Sequence, residues 1–186
     1  MGMCKCGGLT ESKPISNYEV PGTLLGIENV TLVNGVVDEA CKECGKGKIT
    51  IPDIPGLIAA VAITRVKLPF KLNSREIRYF RKALNVTAKE MANYLKVTPE
   101  TVSRWENEKM PVAEQAEIFL RLIVIALLQS KAEAVDPEMD AVAKMNVQAV
   151  FDRSALAKMM HFVRVLKDRK TEAVPLWRDE RKVANG

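Results

Sequence analysis

Apolar residues recur at intervals of three and four in the middle of the chain, which is the period of an amphipathic helix. The pattern predicts a helix over 74–84, two short helices that begin at Thr87 and Thr98, and a longer helix over 112–130. The longest helix is apolar nearly all round from Ile118 to Leu128, so we expect it to be buried on several sides. It closes the core of the monomer, and it is also a candidate two-fold interface.

The first 50 residues follow a different pattern, with short β-rich segments between turn residues. We expect strands near 16–19, 24–32 and 36–38, with Asn34-Gly35 as the turn of a hairpin. A proline-containing segment follows, and its apolar centre from Leu57 to Val66 is expected to be a short helix or strand.

Beyond Ser130, the sequence predicts two further helices over 137–151 and 153–170, with Asp136 and Asp152 as candidate N-cap residues. The second carries Leu156, Met159, Phe162, Val163 and Leu166 on one face. Trp177 is expected to hold the last segment against the rest of the chain.

The strongest functional signal lies between Thr87 and Pro111. Thr87 and Glu90 form a capping box, and Thr98 followed by Pro99 is a preferred helix start. The apolar contacts between the two short helices are expected to come from Met91, Ala92, Leu95, Val97, Val102 and Trp105. This layout indicates a helix-turn-helix, whose second helix places its N-terminal residues in the major groove of DNA.

The run from Arg75 to Pro111 resembles the Xre/Cro-type repressor domain. The resemblance implies an ion pair between Arg81 on the first helix and Glu106 at the end of the recognition helix. Two residues depart from the family pattern, because Lys96 and Glu108 stand where glycine is usual. Each costs about 1 kcal/mol if its φ is positive.

Seven polar residues on and after the recognition helix are the candidate DNA contacts. Arg104 is suited to guanine through its two-donor fork, and Glu100 can accept from a cytosine amino group. Lys109 is expected to touch the phosphate backbone. The full set is Thr98, Glu100, Thr101, Ser103, Arg104, Asn107 and Lys109.

The charge distribution supports a nucleic-acid partner. The chain carries +5 overall, residues 74–111 carry +3, and residues 1–52 carry −1. Cations near the helix-turn-helix favour binding to phosphates through release of counterions. A basic face exposed only to solvent has a similar composition.

All four cysteines lie in the first 44 residues, as Cys4-x-Cys6 and Cys41-x-x-Cys44. Two such pairs at the ends of a small strand meander are typical of a zinc ribbon with four sulfur ligands. A region this small has few large apolar residues and needs a further stabilising element, such as a bound metal or a disulfide. Reduced or redox-active thiols and disulfides are the alternatives.

A four-cysteine ribbon followed by an Xre-type helix-turn-helix resembles the MqsA-family antitoxins with their YgiT-type zinc finger. The resemblance covers about residues 3–130. It implies a zinc-binding N-terminal domain that contacts a ribonuclease toxin. It also implies a second domain that dimerises, binds its operator as double-stranded DNA, and represses its own operon. A regulator without a toxin has the same architecture.

We therefore expect an α+β protein with a β-rich zinc ribbon (residues 1–52), a linker (53–73), an all-α helix-turn-helix domain (74–130) and a helical C-terminal extension (131–186). An enzyme is disfavoured, because the sequence shows no phosphate loop, no nucleophile–base pair and a single histidine. The N-terminus lacks the features of a signal peptide and no apolar run is long enough to span a membrane, so we expect a cytoplasmic protein.

Overall fold

A computed structural model describes residues 2–148, 158–169 and 172–180, with side chains for all of these but 166–169 and 172–175. Five strands form one sheet in the order β1-β2-β4-β5, with β3 paired to β2 as well. The strands are β1 (Thr10–Val20), β2 (Val30–Cys41), β3 (Gly47–Thr50), β4 (His161–Arg169) and β5 (Glu172–Asp179). The helices are α1 (Gly22–Leu25), α2 (Ile54–Val66), α3 (Ser74–Leu84), α4 (Ala88–Leu95), α5 (Pro99–Glu106), α6 (Glu114–Leu128) and α7 (Met139–Ala143).

Strands β1 and β2 form a long antiparallel hairpin whose turn lies at 21–29, so the prediction of a hairpin turn at Asn34-Gly35 was wrong. Asn34 has a φ of 52° and lies inside β2, where the register shifts opposite Ile15 to Asn17. A bulge uses the same positive φ that makes Asn-Gly a turn signal. The expected strand over 24–32 is likewise shortened, because α1 and the turn occupy its residues up to 29 and β2 begins at Val30.

The prediction of a helical C-terminal extension was wrong. Residues 161–169 form β4, which is parallel to β2 from Thr31 to Val33, and β5 pairs with β4 in antiparallel register. In place of the helix expected over 137–151, α7 has only 5 residues, and positions 149–157 lie outside the described residues. The apolar spacing fits a helix, but pairing with β2 overrides that local preference.

Helix α2 occupies the segment expected to be a linker, and it decides between the short helix and the strand expected over 57–66 in favour of the helix. Its residues from Leu57 to Val66, except Ile58, are buried. The Asp53 side chain caps its first turn by accepting from the Gly56 amide at 3.0 Å. Trp177 on β5 donates its indole N–H to the Pro52 carbonyl at 3.0 Å. The helix therefore packs against both the sheet and the helices that follow it.

Two fully buried ion pairs fix the chain between α2 and α3. Arg65 donates to Glu76 at 2.6 and 2.9 Å, and Arg121 donates to Glu117 at 2.6 Å. Arg121 also donates to three carbonyls, those of Val66, Leu68 and Phe70. Buried charges are stable only when they are paired and hydrogen-bonded in this way. The network joins α2, α3 and α6 around residues 66–73.

Candidate nucleic-acid interface and metal centre

Helices α4 and α5 pack in the way that the sequence predicts. Met91, Ala92 and Leu95 on α4 are buried against Val102 and Trp105 on α5. Ala92 has no exposed surface, which explains why a small residue is needed where the helices approach. The polar side of α5 is left facing solvent.

Local hydrogen bonds define where both helices begin. The Thr87 hydroxyl accepts from the Glu90 amide at 3.2 Å, and the Glu90 carboxylate accepts from the Thr87 amide at 2.7 Å. This bond from the amide, together with one from the hydroxyl, lowers the pKa of Glu90. The Thr98 hydroxyl accepts from the Thr101 amide at 3.2 Å. Both predicted caps are confirmed.

A third cap, on α3, was missed in the sequence. The Asn73 side chain accepts from the Glu76 amide, and Glu76 accepts from the Asn73 amide, at 2.9 Å each. The three-residue spacing of Asn73 and Glu76 in the sequence is typical of a capping box and could have predicted this cap.

Three residues around the helix-turn-helix adopt left-handed backbone conformations. Asn85 has a φ of 57°, Lys96 of 55° and Glu108 of 59°. The two departures from the family pattern therefore carry the backbone cost that a glycine would avoid, about 1 kcal/mol each. The Glu108 carboxylate accepts from the Ser74 hydroxyl at 2.7 Å, so it is directed toward α3.

The expected ion pair between α3 and α5 is present. Arg81 donates to Glu106 through Nε at 2.6 Å and through a terminal nitrogen at 3.0 Å. The side chains are 21% and 8% exposed, and the carboxylate raises the pKa of Arg81. Such a two-pronged contact fixes orientation as well as distance.

Arg78, one turn before Arg81, was not recognised in the sequence. It donates to the Glu106 carbonyl at 2.9 Å and to the Asn107 side-chain oxygen at 3.1 Å. The Asn107 side-chain NH2 in turn donates to the Ser103 carbonyl at 2.7 Å. Helix α3 therefore holds the C-terminal end of α5 through two arginines. Their spacing on one helix face was the available signal.

Six of the seven predicted DNA contacts are exposed, and Thr101 is half-buried. The Thr98 and Thr101 hydroxyls lie 3.1 Å apart at the start of α5. The pKa of Glu100 is lowered by a hydrogen bond from its own backbone amide, and also by the Thr98 hydroxyl and the nearby Arg104. The carboxylate is therefore charged beside Arg104. The role of each residue toward DNA stays a prediction.

The four cysteines form one cluster. Their sulfur atoms all lie within 4.8 Å of one another, with Cys4 and Cys44 at 3.6 Å and Cys6 and Cys41 at 3.5 Å. These distances are far longer than the roughly 2.05 Å of a disulfide. They are close to the sulfur–sulfur edge of about 3.8 Å in a tetrahedron with metal–sulfur bonds near 2.3 Å.

Glycine allows both cysteine pairs to turn back on themselves. Gly7 and Gly45 each follow the second cysteine of a pair and have φ values of 91° and 68°. Gly8 lies against the cluster, where an added Cβ would be 2.9 Å from the Cys41 sulfur. A larger residue at Gly7 or Gly45 would be strained by the positive φ, and one at Gly8 would crowd the Cys41 sulfur.

Backbone amides favour a thiolate at one corner of the cluster. Hydrogen bonds from the Cys44 and Glu43 amides lower the pKa of Cys41 to about 7. For Cys6 a hydrogen bond from the Gly8 amide acts in the same direction, but the three neighbouring thiols outweigh it and raise its pKa to about 12. Four sulfur atoms this close together can all be thiolates only around a cation, so the donor set fits zinc with four sulfur ligands.

Comparison with known families supports the reading of the central helices. Residues 77–117 match the model of the helix-turn-helix family HTH_3. These residues form an Xre/Cro-type helix-turn-helix domain. The domain covers less than a quarter of the chain, and it is of the kind found in sequence-specific, DNA-binding transcriptional regulators.

No curated protein and no solved structure matches the chain. No helix in the described part of the chain is both long and apolar enough to cross a membrane.

Proposed function

We propose that this protein is a dimeric transcriptional regulator that binds a specific operator in double-stranded DNA and represses transcription from it. The observation that carries the proposal is the exposed polar side of α5 in a domain of the HTH_3 family. In this arrangement the recognition helix enters the major groove with its N-terminal residues against the bases.

The polar residues on and beside α5 have two roles in this proposal, reading bases and contacting the DNA backbone. Arg104 reads guanine through its two-donor fork, and the adjacent charged Glu100 accepts from cytosine or repels other bases. Thr98, Thr101 and Ser103 are short and contact phosphates or a thymine methyl group. Asn107 and Lys109 follow the helix and lie near the backbone of the DNA.

Helix α6 offers a surface for a second copy of the chain. Phe119 and Leu127 are each 45% exposed, and Ile123 lies between them on the helix. Arg121 is the one charged residue between positions 118 and 130, and it is buried. An apolar face without charge is typical of the core of a homodimer interface. A two-fold dimer also matches the symmetry of an operator with two half-sites.

Zinc held by Cys4, Cys6, Cys41 and Cys44 has a structural role in this proposal. Four thiolates leave no open position for a substrate, so the metal stabilises the two turns that carry the cysteines. This assignment rests on the sulfur distances and on the glycines that permit them.

An antitoxin of the MqsA type is the second candidate. It is favoured by the order of a four-cysteine cluster followed by an HTH_3 domain. In that function the region around the cysteines binds a ribonuclease toxin, and the protein autoregulates its operon. A small ribonuclease encoded next to this gene, forming a stable complex with the purified protein, distinguishes the antitoxin from a regulator without a toxin.

The test of DNA binding begins with selection of a binding site from random double-stranded DNA by the full-length, zinc-loaded protein. Fluorescence anisotropy then compares the selected site with a scrambled one at several salt concentrations. We expect Arg104→Ala to lose about 1 to 3 kcal/mol at one base pair in each half-site. Lys109→Ala should weaken both DNAs alike and reduce the salt slope by about one.

Lys131→Ala is the matched control, because Lys131 is exposed and lies after α6. It should leave the discrimination between the two DNAs unchanged. Failure to select any site overturns the proposal, and full discrimination by Arg104→Ala shows that the reading helix is misassigned.

A further inference from the structure

An open cavity of about 830 Å³ lies between the turn after β1 and helix α3. Gly22, Gly26 and Glu28 line one wall, and residues of α3 line the other. Small-molecule sites have volumes of about 300 to 1,000 Å³ and are common where two structural units meet. None of the seven proposed DNA contacts lines this cavity.

The walls of the cavity carry an excess of positive charge. Arg75, Arg78 and Lys82 lie at intervals of three and four on one face of α3, and Lys71 precedes the helix. Within the described part of the chain, neither Lys71 nor Lys82 has an ion-pair partner.

The acidic groups of the lining are already engaged. Glu28 pairs with Arg75 at 3.0 Å, Glu76 is bound to Arg65, and Glu108 accepts from Ser74. The two lysines are therefore available to a ligand that carries negative charge.

The floor of the cavity is fixed without a ligand. Tyr79 is 3% exposed, and its hydroxyl donates to the Ile58 carbonyl at 2.8 Å. The Leu72 amide donates to buried Glu117 at 3.0 Å. Gly26 has a φ of 82°, a conformation that favours glycine, and it lies beside the Tyr79 ring, 3.9 Å from where a Cβ would be. A preorganised site of this kind loses little entropy when a ligand binds.

We propose that the cavity binds a small organic anion, a phosphate or carboxylate attached to an apolar group, and that the bound anion lowers the affinity for DNA. The negative group contacts Lys71 and Lys82, and the apolar group packs on Tyr79 and Ile27, which also line the cavity. The regulatory part of this inference rests on the proposed function in DNA binding.

Arg78 connects the cavity to the recognition helix. It lines the cavity and also donates to the Glu106 carbonyl and to Asn107. A nearby anion draws the guanidinium away from these acceptors, and the end of α5 loses its contact with α3. Because binding free energies are coupled reciprocally, DNA must weaken binding of the anion by the same factor.

Calorimetric titration of the full-length, zinc-loaded protein tests the site. Phenyl phosphate and phenylacetate are the probes, because they share an apolar ring and differ in the anionic group, and benzyl alcohol is the neutral control. We expect saturable binding of at least one anion with a Kd below about 1 mM and no binding of benzyl alcohol. The probe that binds with the lower Kd shows whether the natural ligand carries a phosphate or a carboxylate.

The variant Lys71→Gln/Lys82→Gln should weaken binding of the anion about tenfold or more. Lys131→Gln/Lys144→Gln removes the same charge from exposed lysines elsewhere and should bind like the wild type. Equal binding by both variants, or no binding of either probe, overturns the site. Circular dichroism of the variants verifies that each is folded.

Anisotropy with the selected operator tests the coupling. A saturating anion should weaken DNA binding about 5- to 150-fold in the wild type, and much less in Lys71→Gln/Lys82→Gln. Anion binding with unchanged DNA affinity overturns the regulatory role. If the wild type fails to bind DNA without the anion, the proposed function itself is wrong, and the calorimetry still decides whether the cavity is a site.

Discussion

The helix-turn-helix and the five-stranded sheet are built from contacts of very different range. In the helix-turn-helix, the reciprocal hydrogen bonds of the capping box join residues three positions apart in sequence, and the Arg81–Glu106 ion pair joins residues 25 positions apart. In the sheet, β2 pairs with β4 from a region about 130 residues further along the chain. Local contacts cost little loop-closure entropy, whereas distant ones need strong anchors to offset it. The sheet has such anchors in the cysteine cluster and at Trp177.

The largest effect expected from this difference is that of removing zinc. A chelator, or Cys41→Ser, should unfold the two turns that carry the cysteines and leave α3 to α6 folded. Structural zinc contributes about 10 to 16 kcal/mol of binding free energy in zinc-finger peptides, and folding depends on it. Metal analysis should give about one zinc per chain, and hydrogen exchange should locate the loss of protection.

Zinc well below one per chain, together with unchanged stability of Cys41→Ser, would contradict this prediction. Loss of protection throughout α4 and α5 would show that the two regions are not independent.

The second expected effect concerns Trp177. It is 1% exposed, donates to Pro52, and its ring lies 5.2 Å from the Arg164 guanidinium. Trp177→Ala should lower the free energy of unfolding by about 3 to 5 kcal/mol. Denaturant titration measures this change, and Tyr94→Ala is the control because Tyr94 is 44% exposed. Equal effects of the two variants would show that Trp177 is not an anchor.

The buried ion pair between Arg121 and Glu117 should have an effect of similar size. Arg121→Met leaves Glu117 as a buried charge without its ion-pair partner. Methionine also cannot donate to the three carbonyls that Arg121 contacts, so the variant should lose about 3 to 5 kcal/mol of stability. The double variant Arg121→Met/Glu117→Leu should recover part of that loss. A double variant less stable than Arg121→Met alone would contradict the account of the charge pair.

The Arg81–Glu106 pair should contribute less, because water reaches Arg81. Arg81→Met should lower the free energy of unfolding by about 1.5 to 3 kcal/mol, the range for hydrogen bonds to charged groups. Lys82→Met, on the exposed side of the same helix, is the control. A loss below about 0.5 kcal/mol would place Arg81 among the exposed pairs that hardly affect stability.

The smallest expected effect comes from the turn between α4 and α5. Lys96 has a φ of 55°, so Lys96→Gly should raise the free energy of unfolding by up to about 1 kcal/mol. Lys89→Gly, inside α4, is the opposite control and should lower it by about the same amount. A loss of stability in Lys96→Gly would mean that the lysine side chain compensates for the backbone strain.

The range of the contacts also explains which elements could be predicted from the sequence. Thr87, Glu90 and Thr98 act on amides three residues away, so the helix starts could be read directly. The cysteine cluster could be predicted because each pair is adjacent in sequence and thiols have few roles. The structure brings all four together, as expected.

The C-terminal strands could not be predicted in the same way. Phe162 and Val163 fit a helical face as well as a strand. The segment that makes them a strand, Thr31 to Val33 of β2, lies about 130 residues earlier in the chain. Asn34-Gly35 was misread for a related reason. Gly35 packs against the Trp177 ring, which is distant in sequence, and an added Cβ at Gly35 would lie 2.6 Å from that ring. The Arg121 network was missed because a single arginine in an apolar helix gives no indication of the carbonyls that it contacts.

The parallel pairing of β2 with β4 has a consequence for the order of events during synthesis. The ribosome completes β2 well before β4, and at about 5 to 20 residues per second the interval is several seconds or more. The helix-turn-helix emerges within that interval and can fold at once, since its contacts are local. Until β4 arrives, Thr31 to Val33 present an unpaired strand edge to other nascent chains. Growth temperature and translation speed should therefore influence the yield of soluble protein through this one segment.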